Sequence, residues 1–283
     1  MAVKPVIYGA SEGPPRGDYS RAAEDYTCAQ NYAAYTDADH DTYRRLYARQ
    51  SALLPGLACD AFIAALPQLG ASEQIPRFED VNRRLLPATG WQLVGVPGLI
   101  PEVPFFSLLA ERKFPVTDWI RTPEEFAYIV EPDVFHDLFG HVPLLFNPVF
   151  ADHLQAYGQG GLKAHRLGAC EQLARLYWYT IEFGLLRQPD GLRAYGAGIL
   201  SSSSELLRSV THPSVQRIRL EVLRAMRTRY VIDNYQQTYF VIDSIEELFE
   251  KTAPDFAPLY RALKTLPEIA ADQSLASDAF ITL

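Results

Sequence analysis

The sequence predicts a mainly α-helical protein with small β content, folded as one domain. Helix-start chemistry recurs along its 283 residues, stretches of alternating polarity are short and few, and no fixed-period repeat or low-complexity linker divides the chain. At roughly 150 residues per domain the length fits one large domain or two small ones, so the missing linker decides for one.

The first 20 residues hold Pro5, Gly9, Gly13, Pro14, Pro15 and Gly17, which predicts an irregular N-terminal arm. From about Asp39 to Leu54, Tyr43, Leu46, Tyr47 and Leu53 share a helical face, and Pro55-Gly56 end the run. A second helix is predicted around Cys59 to Leu66. Trp91 to Val96 alternates loosely and stops at Val96-Pro97-Gly98, a short strand followed by a turn. Thr122-Pro123-Glu124-Glu125 and Asn147-Pro148 carry cap-plus-proline helix starts, and Ser202 to Glu205 and Ser244 to Glu247 read as capping boxes. Gly158-Gln159-Gly160-Gly161 lacks phosphate-loop spacing and is expected to loosen or end the helix begun at Asn147-Pro148. Gly196-Ala197-Gly198 has Ser201 where a dinucleotide fingerprint needs its third glycine.

Acidic residues number 34 against 26 Lys plus Arg, a net charge of −8, which argues against a nucleic-acid surface. With 48% hydrophobic and 21% charged residues, the composition is that of an ordinary globular protein. Cys28, Cys59 and Cys170 are odd in number and far apart, fitting neither a disulfide framework nor a C-x-x-C motif, and so indicate a reducing compartment. The N-terminus has no signal-peptide core and no run of about 18 apolar residues occurs, so a cytoplasmic protein without a membrane partner is expected.

His136 and His141 stand five apart. Five residues rotate by about 500° on an α-helix, about 140° beyond a full turn, which points two rings apart. Gly140 and Pro143 flank the second histidine and weaken helix continuity, so a helix that loosens or ends near Gly140 would bring both rings to one metal. His40, His153, His165 and His212 have no companion ligands at useful spacing. The segment from Arg175 to Arg187 is helix-length and apolar on every face, with Glu182 as its one internal charge. A buried carboxylate must neutralise, pair or bind a metal. Two histidines and a carboxylate form the facial triad that typically holds non-haem Fe(II) with open positions, and the same donors also occur at catalytic zinc sites.

The block Glu131-Pro132-Asp133 through His141-Val142-Pro143, the later Tyr177-Trp178-Tyr179-Thr180-Ile181-Glu182-Phe183-Gly184, and Ala194-Tyr195-Gly196-Ala197-Gly198-Ile199-Leu200-Ser201-Ser202 together resemble the pterin-dependent aromatic amino acid hydroxylases. The resemblance runs from about Thr89 to Phe240. It implies that His136, His141 and Glu182 bind one ferrous iron, with a tetrahydropterin cosubstrate beside it. On the same basis Phe105 stacks on the pterin, Gly98 and Ile100 fall in its binding loop, and Asp137 and Tyr177 lie near it. Arg121 would pair with the substrate carboxylate, Trp178 would line the aromatic pocket, Ser201 would sit beside a ligand histidine, and Ser202 joins the substrate set. Two positions depart from the animal enzymes: Ile129-Val130 stand where a Thr-Pro pair is expected, and Asp137 replaces a glutamate.

The expectation is an iron- and tetrahydropterin-dependent monooxygenase of bacterial type that converts L-phenylalanine and O2 to L-tyrosine. Its alternatives are a hydroxylase of the same type preferring tryptophan or tyrosine, a zinc-dependent hydrolase using the same three ligands, and a non-enzymatic metal-binding protein. The expected organisation is an arm over 1–20 and a catalytic domain over 21–283, without separate regulatory or tetramerisation domains, working as a monomer.

Overall fold

A computed structural model describes residues 16–127 and 129–282. The first long helix, α1 (Asp37–Leu53), starts where the sequence supplies a reciprocal cap: Thr36 Oγ1 accepts the Asp39 N–H at 3.2 Å while the Asp39 carboxylate accepts the Thr36 N–H at 2.8 Å. It buries Tyr43 and Leu46. Two further helices, α2 (Asp60–Ala65) and α3 (Phe78–Thr89), lead to strand β1 (Gln92–Val96). Helix α4 (Glu102–Ala110) then crosses over to β2 (Lys113–Thr117), which pairs with β1 in parallel. Of the expected irregular arm, residues 1–15 lie outside the described residues, and Tyr19–Arg21 form a 3-10 turn.

The centre of the molecule is helical: α5 (Val142–Leu145), α6 (Pro148–Leu167) and α7 (Cys170–Tyr177). Asn147 caps α6 as the sequence predicts, its side chain accepting the Phe150 N–H at 3.1 Å. The glycine run does not break α6, contrary to expectation. An added Cβ would stand 2.1 Å from the Phe106 ring at Gly161 and 2.5 Å from the Ala110 backbone at Gly158, so these glycines let α4 lie close against an unbroken α6. The packing gained outweighs a helix penalty of about 1 kcal/mol per glycine. α6 ends instead at Gly168, whose φ of 63° is the left-handed conformation of a helix C-terminus.

Strands β3 (Leu185–Gln188) and β4 (Gly191–Ala194) form an antiparallel hairpin, followed by α8 (Ala197–Leu200), α9 (Ser203–Thr211), β5 (Gln216–Arg219), α10 (Val222–Arg227), β6 (Thr238–Ile242), α11 (Ile245–Thr252) and α12 (Ala257–Leu263). The second sheet runs β4-β3-β6-β5, with β6 parallel to both neighbours. One apolar core reaches from Tyr43 of α1 through Phe135 and Phe139 to Tyr260 of α12.

The remaining caps are partly as expected. Ser202 and Ser244 accept the N–H groups of Glu205 and Glu247, but neither box closes: the Glu205 carboxylate turns to Tyr239 and Gln236, and that of Glu247 accepts the Asp243 N–H. Thr122 and Glu125 cap each other, yet only a 3-10 turn, Pro123–Glu125, follows. The chain then reaches Ile129-Val130-Glu131-Pro132, where β-branching and proline oppose a helix.

Candidate active site

His136–His141 is a π-helical turn, and so is Trp178–Glu182, which closes with the Phe183 N–H on the Trp178 carbonyl at 2.8 Å. Hydrogen bonds from residue i to i+5 widen the turn and bring two side chains five apart much closer to one direction than an α-turn does. The expected departure from α-geometry near Gly140 is therefore present, but the helix widens instead of ending and continues as α5. Gly140 is required by the close approach of α8, since a Cβ there would stand 2.8 Å from the Ala197 carbonyl oxygen.

The two wide turns bring three donors together. His141 Nε2 lies 3.2 Å from His136 Nε2 and 3.2 Å from Glu182 Oε1, and His136 Nε2 lies 3.7 Å from Glu182 Oε2. His136, His141 and Glu182 are 8, 5 and 2% exposed. Burial pulls the His136 imidazole down to about 4, so at neutral pH it is uncharged and its contact with Glu182 is not an ion pair. Ser201 Oγ lies 2.9 Å from His136 Nδ1 and holds the ring so that Nε2 faces Glu182 and His141. A buried carboxylate and imidazole nitrogens converging within 4.8 Å of one another fit a divalent cation.

Arg121 is locked beside this centre. Its Nε and Nη2 donate to Asp133 Oδ2 and Oδ1, each at 2.8 Å, and its backbone N–H donates to Oδ2 at 3.0 Å. Asp133 Oδ1 also accepts the His136 N–H at 3.0 Å, so one carboxylate positions both the guanidinium and the first metal-ligand turn. Burial pushes the Asp133 carboxyl up, but the Arg121 charge and these hydrogen bonds outweigh it and hold the group below the usual range.

A cavity of about 450 Å³ opens against the triad and is lined by Arg121, His136, Trp178, Glu182, Ser201 and Ser202. Ile129 and Val130 form part of its wall. Trp178 stacks on Tyr230 with centroids 4.4 Å apart and donates its indole N–H to Gln236 Oε1 at 2.9 Å. All four residues expected on the substrate side thus share one cavity with two of the three metal-ligand candidates.

The five residues expected on the pterin side do not line this cavity. Tyr177 lies 6.5 Å from His141 and meets Phe105 edge to face at 6.0 Å. Ile100 packs in a small cluster with Val96 and Leu108, against Phe105. Gly98 (φ 159°) leaves room only for the chain in front of it: a Cβ would stand 2.7 Å from the Arg16 carbonyl oxygen. Asp137 is buried, accepts the Thr117 N–H at 2.7 Å and so ties this turn to the end of β2; burial pushes its carboxyl up to about 7.

Sequence reasoning gave no role to Asp133, Glu205, Gln236 or Tyr230. Asp133 had a usable signal, an acid three residues before the first histidine, and Glu205 follows Ser202 by three residues but reads only as a cap partner; Tyr230 and Gln236 lie in a segment distant in sequence and are recruited only by the fold. His165 is a further correction. It has companions after all, with Nδ1 2.9 Å from Glu102 Oε1 and 4.0 Å from Cys170 Sγ.

A family model described as biopterin-dependent aromatic amino acid hydroxylase matches residues 15–264. The phenylalanine-4-hydroxylase of Ralstonia nicotianae is 58% identical over 258 residues, covering 91% of this chain and 82% of that protein. That of Chromobacterium violaceum is 56% identical over 245 residues, covering 86% and 82%. Among solved structures, the iron- and phenylalanine-bound phenylalanine hydroxylase of C. violaceum superposes with a TM-score of 0.89 at 52% identity, covering 92% of this chain and 96% of that one. The cobalt-bound form of the same enzyme gives 0.91 at 53%, covering 92% and 95%. With triad, cavity and these likenesses in agreement over most of its length, the chain belongs to the biopterin-dependent aromatic amino acid hydroxylases.

Proposed function

We propose that this protein hydroxylates L-phenylalanine to L-tyrosine with O2 and a tetrahydropterin at a non-haem Fe(II) held by His136, His141 and Glu182. The observation that carries the reading is the sharing of one cavity by two of the triad side chains, a locked guanidinium and an indole wall. Relatives named for the same reaction, at 58 and 56% identity, support phenylalanine over tryptophan or tyrosine as substrate. Membership of a redox family sets aside the zinc hydrolase and the non-enzymatic metal binder.

When bound, iron and pterin together supply the activation of dioxygen. The chain supplies position and exclusion. Arg121 holds the substrate carboxylate through the guanidinium edge that Asp133 leaves available, and charge-assisted pairing fixes the ring's distance from the metal. Trp178, held by Tyr230 and Gln236, forms the aromatic wall, with Ser201 and Ser202 on the polar side. Phe105 offers a ring surface to the pterin, with Tyr177 near it, Gly98 and Ile100 shaping its loop and Asp137 anchored behind. Burial of the triad keeps water from the reacting centre.

Three free cysteines accord with a cytoplasmic location. We assign a monomer with the catalytic domain over 21–283 and the arm before it; light scattering at working concentration tests the monomer. Among the described residues no helix is long and apolar enough to cross a membrane. The decisive assay supplies Fe(II), tetrahydropterin, O2 and each of Phe, Tyr and Trp in turn. Tyrosine formed from phenylalanine at the highest kcat/KM is expected; folded, iron-loaded protein that hydroxylates none of the three overturns the reading.

A further inference from the structure

The geometry points to a second divalent-metal site, formed by Glu102, His165 and Cys170 and suited to a zinc-like cation. These donors come from three elements: the first residue of α4, the last turn of α6 and the first residue of α7. Gly168 makes the convergence possible. Its left-handed backbone ends α6 with the Gly168 N–H on the His165 carbonyl and the Ala169 N–H on the Ala164 carbonyl, reversing the chain so that Cys170 returns beside His165. Open space surrounds the position a Cβ would take at Gly168, so it is the backbone turn that calls for glycine there.

One sulfur, one nitrogen and one oxygen donor then lie within 4.8 Å of one another. Tetrahedral zinc with Zn–S near 2.3 Å and Zn–N and Zn–O near 2.1 Å requires about 3.4 Å between nitrogen and oxygen and about 3.6 Å between nitrogen and sulfur. The observed separations, 2.9 and 4.0 Å, reach those values by shifts of about half an ångström in opposite senses. The side chains of His165 and Glu102 are 46 and 33% exposed, so they have room to move and leave the fourth position open to water.

The donor set selects the ion. A thiolate and an imidazole suit zinc and its neighbours, whereas magnesium and calcium take oxygen ligands. Binding forms a metal–sulfur bond at the expense of the Cys170 S–H bond, whose proton passes to solvent, and the thiolate and the Glu102 carboxylate balance the two positive charges. The triad at His136, His141 and Glu182 contains no sulfur, which separates the two sites spectroscopically.

The test uses the full chain loaded with iron and titrated with Co(II). One equivalent is expected to bind with tetrahedral visible bands and a thiolate-to-cobalt charge-transfer band in the near ultraviolet, and Zn(II) should displace it. Cys170→Ser should abolish the charge-transfer band, and His165→Ala should weaken cobalt binding at least tenfold, both with iron content and hydroxylation unchanged. Cys28→Ser should retain the band. In the unmodified protein Zn(II) should slow alkylation of Cys170 at least tenfold, a measurement independent of whether any variant folds. Absence of the band, its persistence in Cys170→Ser, or alkylation of Cys170 at the same rate with and without zinc overturns the site and leaves a surface His–Glu pair beside an ordinary thiol.

Discussion

Asp133 grips the Arg121 guanidinium through two parallel hydrogen bonds of 2.8 Å, and both groups are buried. Because the same carboxylate accepts the His136 N–H, the substrate-side cation and the metal-ligand turn are set by one anchor. Arg121→Lys keeps a positive charge opposite Asp133 but loses the planar two-point grip. Losing charge-assisted hydrogen bonds worth about 1.5–3 kcal/mol should raise the phenylalanine KM about 10- to 100-fold with iron content unchanged. Asp133→Asn leaves a buried guanidinium without its counter-charge and should cost about 3–5 kcal/mol of stability. Steady-state kinetics with iron analysis and urea melts read the two outcomes; a normal KM in Arg121→Lys removes that residue from substrate binding.

Ser201 acts on the metal through His136. Removing the hydroxyl 2.9 Å from Nδ1 releases the ring's orientation. Partners of this kind are worth about 10- to 100-fold in metal affinity or activity. Ser201→Ala is expected to lose iron to a chelator at a correspondingly lower chelator concentration, with its fold intact by circular dichroism. Equal iron retention by the variant and the parent protein would falsify the link.

The Trp178 wall depends on residues far from it in sequence. Gln236 Oε1 accepts the indole N–H, the Gln236 N–H donates to Glu205 Oε1 at 3.2 Å, and the same oxygen accepts the Tyr239 hydroxyl at 2.6 Å. Gln236→Met leaves the buried indole N–H without this acceptor, at about 1–3 kcal/mol. A several-fold rise in phenylalanine KM, with iron binding unaltered, is the outcome to look for; a KM that stays put while stability falls would make Gln236 a structural residue only.

What was legible in the sequence follows from what is local. His136, His141 and Glu182 stood out because one carboxylate in an all-apolar segment and two close histidines are conspicuous without any fold. The need to leave α-geometry near Gly140 was also legible, but its form, a π-turn, was not, nor was the reason residue 140 is glycine: the close approach of Ala197, which belongs to a different part of the chain. The glycines of α6 misled for the same reason, their local helix penalty being plain while the approach of Phe106 was not. Arg121, Ser201 and the pterin-side residues were placed by family likeness, since nothing local separates Arg121 from an ordinary surface arginine. Glu102, His165 and Cys170 were unreadable because the helix reversal at Gly168 and a return from α4 create their proximity.

The same glycines give a paired prediction. Gly161→Ala drives a methyl into the Phe106 ring and should cost about 1–3 kcal/mol, whereas the Cβ of Gly160→Ala meets nothing within 4 Å. The second variant relieves a glycine in mid-helix and should gain about 0.5–1 kcal/mol, raising Tm by about 1–3 °C. Thermal melts of the two single variants check this; destabilisation of similar size in both would mean that α6 tolerates no change there and that its fit to α4 does not depend on which residue is glycine.

His153 predicts how stability responds to acid. Its Nδ1 lies 2.9 Å from Thr252 Oγ1, and because that hydroxyl donates to the Leu248 carbonyl at 2.6 Å, the imidazole must be the donor. The Nε2 lone pair is then buried without a hydrogen-bond partner among the described residues, close to the Phe150 and Phe249 rings. Protonation would put a charge in that apolar space, so burial pulls the imidazole down to about 4. In the unfolded chain it titrates near 6.5. Below about 6.5 the unfolded state therefore binds a proton that the folded state refuses, and stability falls with pH by up to about 1.4 kcal/mol per unit until about 4. Above 6.5 the group is neutral in both states and contributes no slope. His153→Leu should flatten the decline in urea midpoint between pH 6.5 and 4.5, and its stability relative to the parent protein should be greater at pH 5 than at pH 7.5. Parallel pH profiles for the two proteins would show that His153 charges in place.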